Sequence, residues 1–178
     1  MRVIAGEFRS RVLKTLPGMD VRPTPDRLRE ALFSILAPQL EGAVFLDAYA
    51  GTGSVGIEAL SRGAARAVFI EKNRAAMLVI RENLRSLGAE SRAEVVSGSA
   101  ARLVEKYTAD IVFLDPPYPL EREYAGALNV LGRKPPGVVI AQHSSRFTLD
   151  ESYGGLVRYR ALKQGENTLS FFRAAGGS

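Results

Sequence analysis

The chain has no cysteine among its 178 residues. That absence excludes disulfides, thiolate zinc sites and any cysteine nucleophile. Histidine is nearly absent too. His143 stands alone, so neither a histidine metal cluster nor a Ser-His-Asp triad is expected. No apolar run approaches the roughly 18 residues of a membrane span. The start, Met1-Arg2-Val3-Ile4-Ala5-Gly6-Glu7, lacks the apolar core and small-residue cleavage site of a secretion signal. A cytoplasmic protein with no membrane and no metal partner is expected, and internal repeats and low-complexity linkers are missing. Chemistry in such a chain has to run on carboxylates, backbone groups, a cofactor or positioning.

What is present suits one globular domain, because 46% hydrophobic and 24% charged residues are soluble-domain values. The formal charge is +5, and its distribution is uneven. Residues 43–119 hold nine charges of each sign, residues 1–42 seven basic against five acidic, and residues 120–178 eight against five. The basic surplus flanks a balanced middle and points to a polyanionic partner. Before residue 23, Arg2, Arg9, Arg11, Lys14 and Arg22 outnumber Glu7 and Asp20, on extended segments separated by Gly6. Residues 1–22 are expected to form a basic β-hairpin or arm that contacts nucleic-acid phosphates without reading sequence. A charge-protected edge strand would look the same.

Pro17-Gly18 breaks the chain, and a helix then starts with Thr24 as N-cap, Pro25 at its first position and Asp26 in its first turn. Leu28, Ala31, Leu32, Ile35 and Leu36 form its apolar face, and Pro38 is expected to end it. From residue 43 strands and helices alternate: strands over 43–47, 66–71, 93–97, 111–115 and 137–142, helices over 54–62, 73–87 (capped by Asn73 and ended by Gly88) and 99–106, and helical spacing from Leu120 to Leu131. That alternation predicts a parallel sheet covered on both faces. Segments 156–163 and 168–173 are β-rich and separated by Gln164-Gly165-Glu166-Asn167, which predicts an antiparallel hairpin at one sheet edge.

Gly51-Thr52-Gly53-Ser54-Val55-Gly56 matches G-x-G-x-x-G between a strand and a helix, and Glu71 ends the next strand at the spacing of a ribose-binding carboxylate. A dinucleotide and the adenosine of S-adenosylmethionine both fit that pattern. Asp47, at the strand's end, decides between them. It would repel a pyrophosphate and attract the cationic amine and sulfonium of S-adenosylmethionine. The turn also has no lysine and lacks P-loop spacing.

Asp115-Pro116-Pro117-Tyr118 follows the apolar strand at 111–115. An exocyclic amine on a base has its lone pair delocalised into the ring, so a methyl acceptor must have that pair directed at the sulfonium carbon. The Asp115 carboxylate and the Pro116 carbonyl can accept the amine hydrogens and stabilise charge as it develops. Pro116 and Pro117 stiffen the backbone, and Tyr118 can stack on a splayed base. Covalent methylation of a pyrimidine carbon needs a thiolate, so amine methylation is favoured.

The chain resembles the RsmD-type 16S rRNA guanine-N2-methyltransferases of the class I S-adenosylmethionine-dependent superfamily. The resemblance rests on Met1 to Gly6, Arg22-Pro23-Thr24, Asp26-Arg27-Leu28-Arg29-Glu30, Leu46 to Gly53, Gly56 to Gly63 and Asp115 to Tyr118. It implies a Rossmann-like, seven-stranded, mostly parallel α/β sheet with a C-terminal antiparallel hairpin, over a methyltransferase domain at 23–178. It implies methylation of a guanine N2 amine in a 16S rRNA hairpin loop near the P site, on free rRNA or within the 30S subunit; a monomer is expected. Cofactor contacts would come from Thr24 at the methionine end, from Asp47, Ala48, Ala50, Gly51, Thr52 and Gly53, from Glu71 with Lys72 at the ribose, and from Ser99 and Ala100 at the adenine. Many relatives carry an acidic residue where Ser99 stands. Alternatives are an amine methyltransferase acting on DNA adenine, another rRNA base or a protein amide, a non-catalytic RNA-binding domain, and a nicotinamide oxidoreductase.

Overall fold

The computed structural model describes residues 1–18, 26–117 and 121–177. Strands β1 (Val44–Asp47), β2 (Arg66–Glu71), β3 (Ala93–Ser97), β4 (Ile111–Leu114), β5 (Val138–Ser144), β6 (Ser152–Tyr153), β7 (Leu156–Gln164) and β8 (Asn167–Ala174) form one sheet in the order β3-β2-β1-β4-β5-β8-β7-β6. The pairings from β3 across to β5 are parallel, and those linking β5, β8, β7 and β6 are antiparallel. The expected Rossmann-like sheet and its C-terminal hairpin are both present. The strands number eight, not seven, because Ser152 and Tyr153 pair with Val157 and Leu156. Two residues are too few to show a period in sequence.

Helices α1 (Asp26–Leu40), α2 (Ser54–Ser61), α3 (Arg74–Leu87), α4 (Ala100–Leu103) and α5 (Arg122–Leu131) cover the sheet. The alternation of β4 shows how. Ile111 and Phe113 pack with Leu28, Leu32 and Leu36 of α1, while Val112 and Leu114 pack with Tyr124, Leu128 and Leu131 of α5. A strand buried on both faces has to read as a continuous apolar run, which this one does. Helix α3 begins where Asn73 Oδ1 accepts the Ala76 N–H at 3.0 Å and ends at left-handed Gly88, as its sequence predicts.

Two features of α1 depart from expectation. The helix runs past Pro38 to Leu40. In the last turn a proline forfeits one backbone bond and its φ still suits a helix, so it need not stop there. The buried face is also wider than the apolar stripe and takes in Arg29 and Phe33.

The N-terminal segment holds one isolated bridge, Arg2 to Val12, and contributes Val3, Phe8 and Leu13 to a third core cluster with Ile57, Leu60, Phe69 and Ile80. Burying such side chains stabilises by about 1.5–3 kcal/mol each.

Candidate active site

From β1 the chain builds the sheet outward through β2 and β3, then returns to lay β4 on the other side of β1. Such a switch point leaves a crevice beyond the strands' C-terminal ends. Asp47 ends β1 opposite Phe113 of β4, and Asp115 follows two residues later, so both carboxylates stand at that crevice. Its volume is about 850 Å³. Its wall includes Asp47, Ala48, Ala50, Gly51, Thr52, Glu71, Lys72, Ser99 and Ala100 from the expected cofactor set, together with Asp115 and Pro117. Gly53 lies behind the wall, with φ 86° and room for a Cβ only 3.3 Å from Ile80. Buried Pro116 lines an adjoining pocket of about 70 Å³ with Asp115, Pro117, Tyr124, Gln142 and Phe147. Arg22, Thr24 and Tyr118 lie outside the described residues.

The glycine turn is braced from several directions. Glu71 Oε1 accepts the Gly51 N–H at 2.9 Å and Oε2 accepts the Asn73 N–H at 2.8 Å, tying the turn to the start of α3. A Cβ on Gly56 would fall 2.3 Å from the Phe69 ring, so the last glycine of the motif serves the packing of α2 on β2. Asn83, buried on α3, donates to the Thr52 carbonyl at 3.3 Å and to the Lys14 carbonyl at 3.1 Å, and its Oδ1 accepts the Lys14 N–H at 2.8 Å. The N-terminal segment is thereby fastened to the turn.

Asp47 is only 2% exposed, and its Oδ2 accepts the Gly56 N–H at 3.0 Å. Burial pushes its carboxyl up to about 7; the Gly56 bond opposes this, and the charges of Asp115 and Glu71 add to the rise. Such a group is poised to receive a cation. Tyr49 forms another part of the crevice wall, donating to Glu123 Oε2 at 2.9 Å, and burial, chiefly, raises its phenol.

Several residues here escaped the sequence patterns. Arg29, 1% exposed, donates to the Arg2 carbonyl at 2.7 Å and to Asp26 at 3.1 Å, and lies 3.9 Å from the buried Glu58. Glu58 also pairs with Arg62 at 2.9 Å and accepts the Ile4 and Ala5 N–H groups at 2.9 and 3.0 Å. Charged residues on helices usually mean solvent, so nothing local marked them. A signal was available in the unusual burial of α2, whose small and apolar residues surround Glu58 in sequence. His143 is buried, with Nε2 2.8 Å from Ser170 Oγ, and burial lowers its pKa, so it is a neutral packed side chain.

The proposed phosphate-contacting residues divide. Arg2 donates to the Ser10 carbonyl at 2.8 Å, Arg11 to the Ser86 carbonyl at 2.7 Å, and Lys14 pairs with Glu82 at 2.7 Å, while exposed Arg9 has no ion pair among the described residues. Among the described residues no three metal-ligating side chains converge, and no helix is long and apolar enough to cross a membrane.

Residues 1–173 match the family described as Conserved hypothetical protein 95. "Putative rRNA methyltransferase YlbH" of Bacillus subtilis (strain 168) is 31% identical over 185 residues, covering 99% of this chain and all (100%) of that protein. "Ribosomal RNA small subunit methyltransferase D" of Escherichia coli (strain K12) is 44% identical over 119 residues, which is 66% of this chain and 60% of that one. The solved structure of "Putative methyltransferase yhhF" from Escherichia coli superposes with a TM-score of 0.82 at 30% identity, covering 98% of this chain and 97% of the other. With its fold, its crevice and its match from residue 1 to residue 173 in agreement, this chain belongs to that family, the RsmD-type class I methyltransferases.

Proposed function

We propose that this protein transfers the methyl group of S-adenosylmethionine to the exocyclic N2 amine of a guanine in 16S rRNA, as a cytoplasmic monomer. The observation that carries the reading is the single crevice that joins Asp47, Glu71 and Asp115 at the sheet's switch point. The residues fit the cofactor. A buried carboxyl held near neutrality gains most from a cationic amine and sulfonium, and that is Asp47. Each Glu71 oxygen accepts one backbone N–H and keeps a lone pair for a ribose hydroxyl. Ser99, exposed before α4 and making no side-chain cap bond, faces the same crevice for the adenine.

Bound S-adenosylmethionine supplies an electrophilic methyl carbon. Asp115 and the Pro116 carbonyl accept the N2 hydrogens and turn the nitrogen lone pair out of conjugation toward that carbon. As the N–C bond forms and the C–S electron pair stays on sulfur, the amine becomes cationic. The Asp115 carboxylate stabilises that charge and takes the proton the amine loses, passing it to solvent. Tyr118 stacks on the base, and Thr24 closes the methionine end. Arg9 and the cations of the β7–β8 hairpin meet the phosphates, with Arg2, Arg11, Lys14 and Arg22 extending that surface.

The test is transfer of labelled methyl to 16S rRNA from cells lacking the gene, offered free and as 30S particles, with the product mapped by mass spectrometry. Asp115→Ala should abolish transfer, by at least about 100-fold, while calorimetry shows cofactor binding within a few-fold. Activity on DNA but on neither rRNA form would overturn the reading.

A further inference from the structure

Gln142 sits where β5 reaches the crevice. Leu114, the last residue of β4, pairs with Ala141 of β5, so Asp115, just past the end of β4, and Gln142 of β5 come next on neighbouring segments. On its other side Gln142 pairs with Leu169 of β8, whose first residue, Asn167, pairs with Ser144. Gln142 lines both the large crevice and the small pocket around Pro116, and it is only 6% exposed. Its backbone carbonyl accepts the Tyr124 hydroxyl, which holds the strand end in place. Its side-chain oxygen Oε1 is buried and has no donor among the described residues. A buried carbonyl left unpaired forfeits its hydration with nothing in return, and folds rarely keep one without a use.

The chemistry of the base indicates that use. With the amine of guanine held at Asp115, the next groups along the Watson–Crick edge are a donor, N1–H, and then an acceptor, O6. A primary amide carries one acceptor and one donor group side by side and complements that order. Adenine and cytosine place a ring-nitrogen acceptor next to their amine, which would oppose the amide oxygen. We propose that Gln142 reads the target base as guanine: its Oε1 accepts N1–H and its Nε2 donates to O6, beside Asp115 at the amine. The inference rests on the reading of the protein as a guanine-N2 methyltransferase and names the residue that sets its base specificity.

The experiment compares two substrates, 16S rRNA in reconstituted 30S particles carrying at the methylated position either guanosine or 2-aminopurine riboside. The analogue keeps the 2-amine and lacks both O6 and the N1 hydrogen. Wild-type protein should prefer guanosine by about 100-fold or more in kcat/KM, since a site built to pair polar groups rejects a partner lacking them. Gln142→Met, similar in size and without the amide, should lose most activity on guanosine, change little on the analogue, and bring the ratio to within about 5-fold. Gln142→Glu keeps an acceptor and removes the donor to O6. It should also collapse the preference, and it serves if the methionine variant folds poorly. Thermal stability and cofactor binding near wild type identify folded variants. A guanosine preference unchanged in a folded variant overturns the role of Gln142 and leaves the activity standing. Wild-type methylation of neither RNA, or of another base, overturns the function itself and the inference with it.

Discussion

Two basic flanks bracket the balanced middle of this chain, and the structure uses them differently. In the N-terminal segment most of the charge is exposed but already engaged with the chain's own acceptors. Arg2, Arg11 and Lys14 are engaged with Ser10, Ser86 and Glu82, and the backbone of Ile4 and Ala5 hangs on Glu58. In the β7–β8 hairpin, Arg158, Arg160 and Lys163 have no ion pair among the described residues, and Arg173 lies over the half-exposed Tyr159 ring at 4.3 Å. The turn of that hairpin brings Glu166 and Asn167 to the crevice wall. A cation's value to a polyanionic partner depends on what it already holds, so similar basic surpluses give a brace on one flank and an open basic surface on the other.

The sharpest way to break this comparison is to attack the brace. Glu58→Ala leaves the buried Arg29 with only the exposed Asp26, and the partly buried Arg62 with no carboxylate among the described residues, and should destabilise the fold by about 3–5 kcal/mol. Denaturant unfolding measures it, and a loss below about 1 kcal/mol would mean the N-terminal segment is not held through Glu58. Next comes the open surface. Replacing Arg158, Arg160 and Lys163 together by alanine should weaken RNA binding about 10- to 100-fold at 0.1 M salt and lower the log–log salt slope by about 2, with little change in melting temperature. An unchanged slope would mark the hairpin as ordinary solvated surface.

Between the flanks, the core has a pH response of its own. Asp47 is protonated below about 7, so affinity for the cationic cofactor should fall roughly tenfold from pH 8 to pH 6. Stability runs the opposite way. The folded chain holds this proton more tightly than the unfolded one, so the stabilisation is complete below 3.8 and is lost as pH rises toward 7. Asp47→Asn should flatten both profiles, by calorimetry and by thermal melts. The smallest effect is expected from the triple replacement of Arg9, Arg11 and Lys14. With only Arg9 of the three lacking a partner among the described residues, the salt slope should drop by about 1 or less. A drop as large as the hairpin's would erase the distinction between the flanks.

Much of this architecture is visible along the chain. Glycine and proline punctuation, the β-type apolar runs and the Asn73 and Gly88 signals at the ends of α3 depend on neighbours a few residues away, and the structure follows them. The edge strand β6 is too short to carry a period, and the burial of Arg29 depends on a carboxylate from another helix. Pro38 misled because a proline stops a helix only where the backbone bond it lacks is needed.

By itself the sequence determined the order of strands and helices, the glycine turn, and the acidic residues waiting at strand ends, since periodicity and backbone preference act locally. Tertiary structure decided which distant groups share a crevice, which cations remain open and which amide oxygen is buried without a donor among the described residues. Those are properties of the space between elements, where burial shifts the Asp47 carboxyl and neighbouring strands set Gln142 beside Asp115.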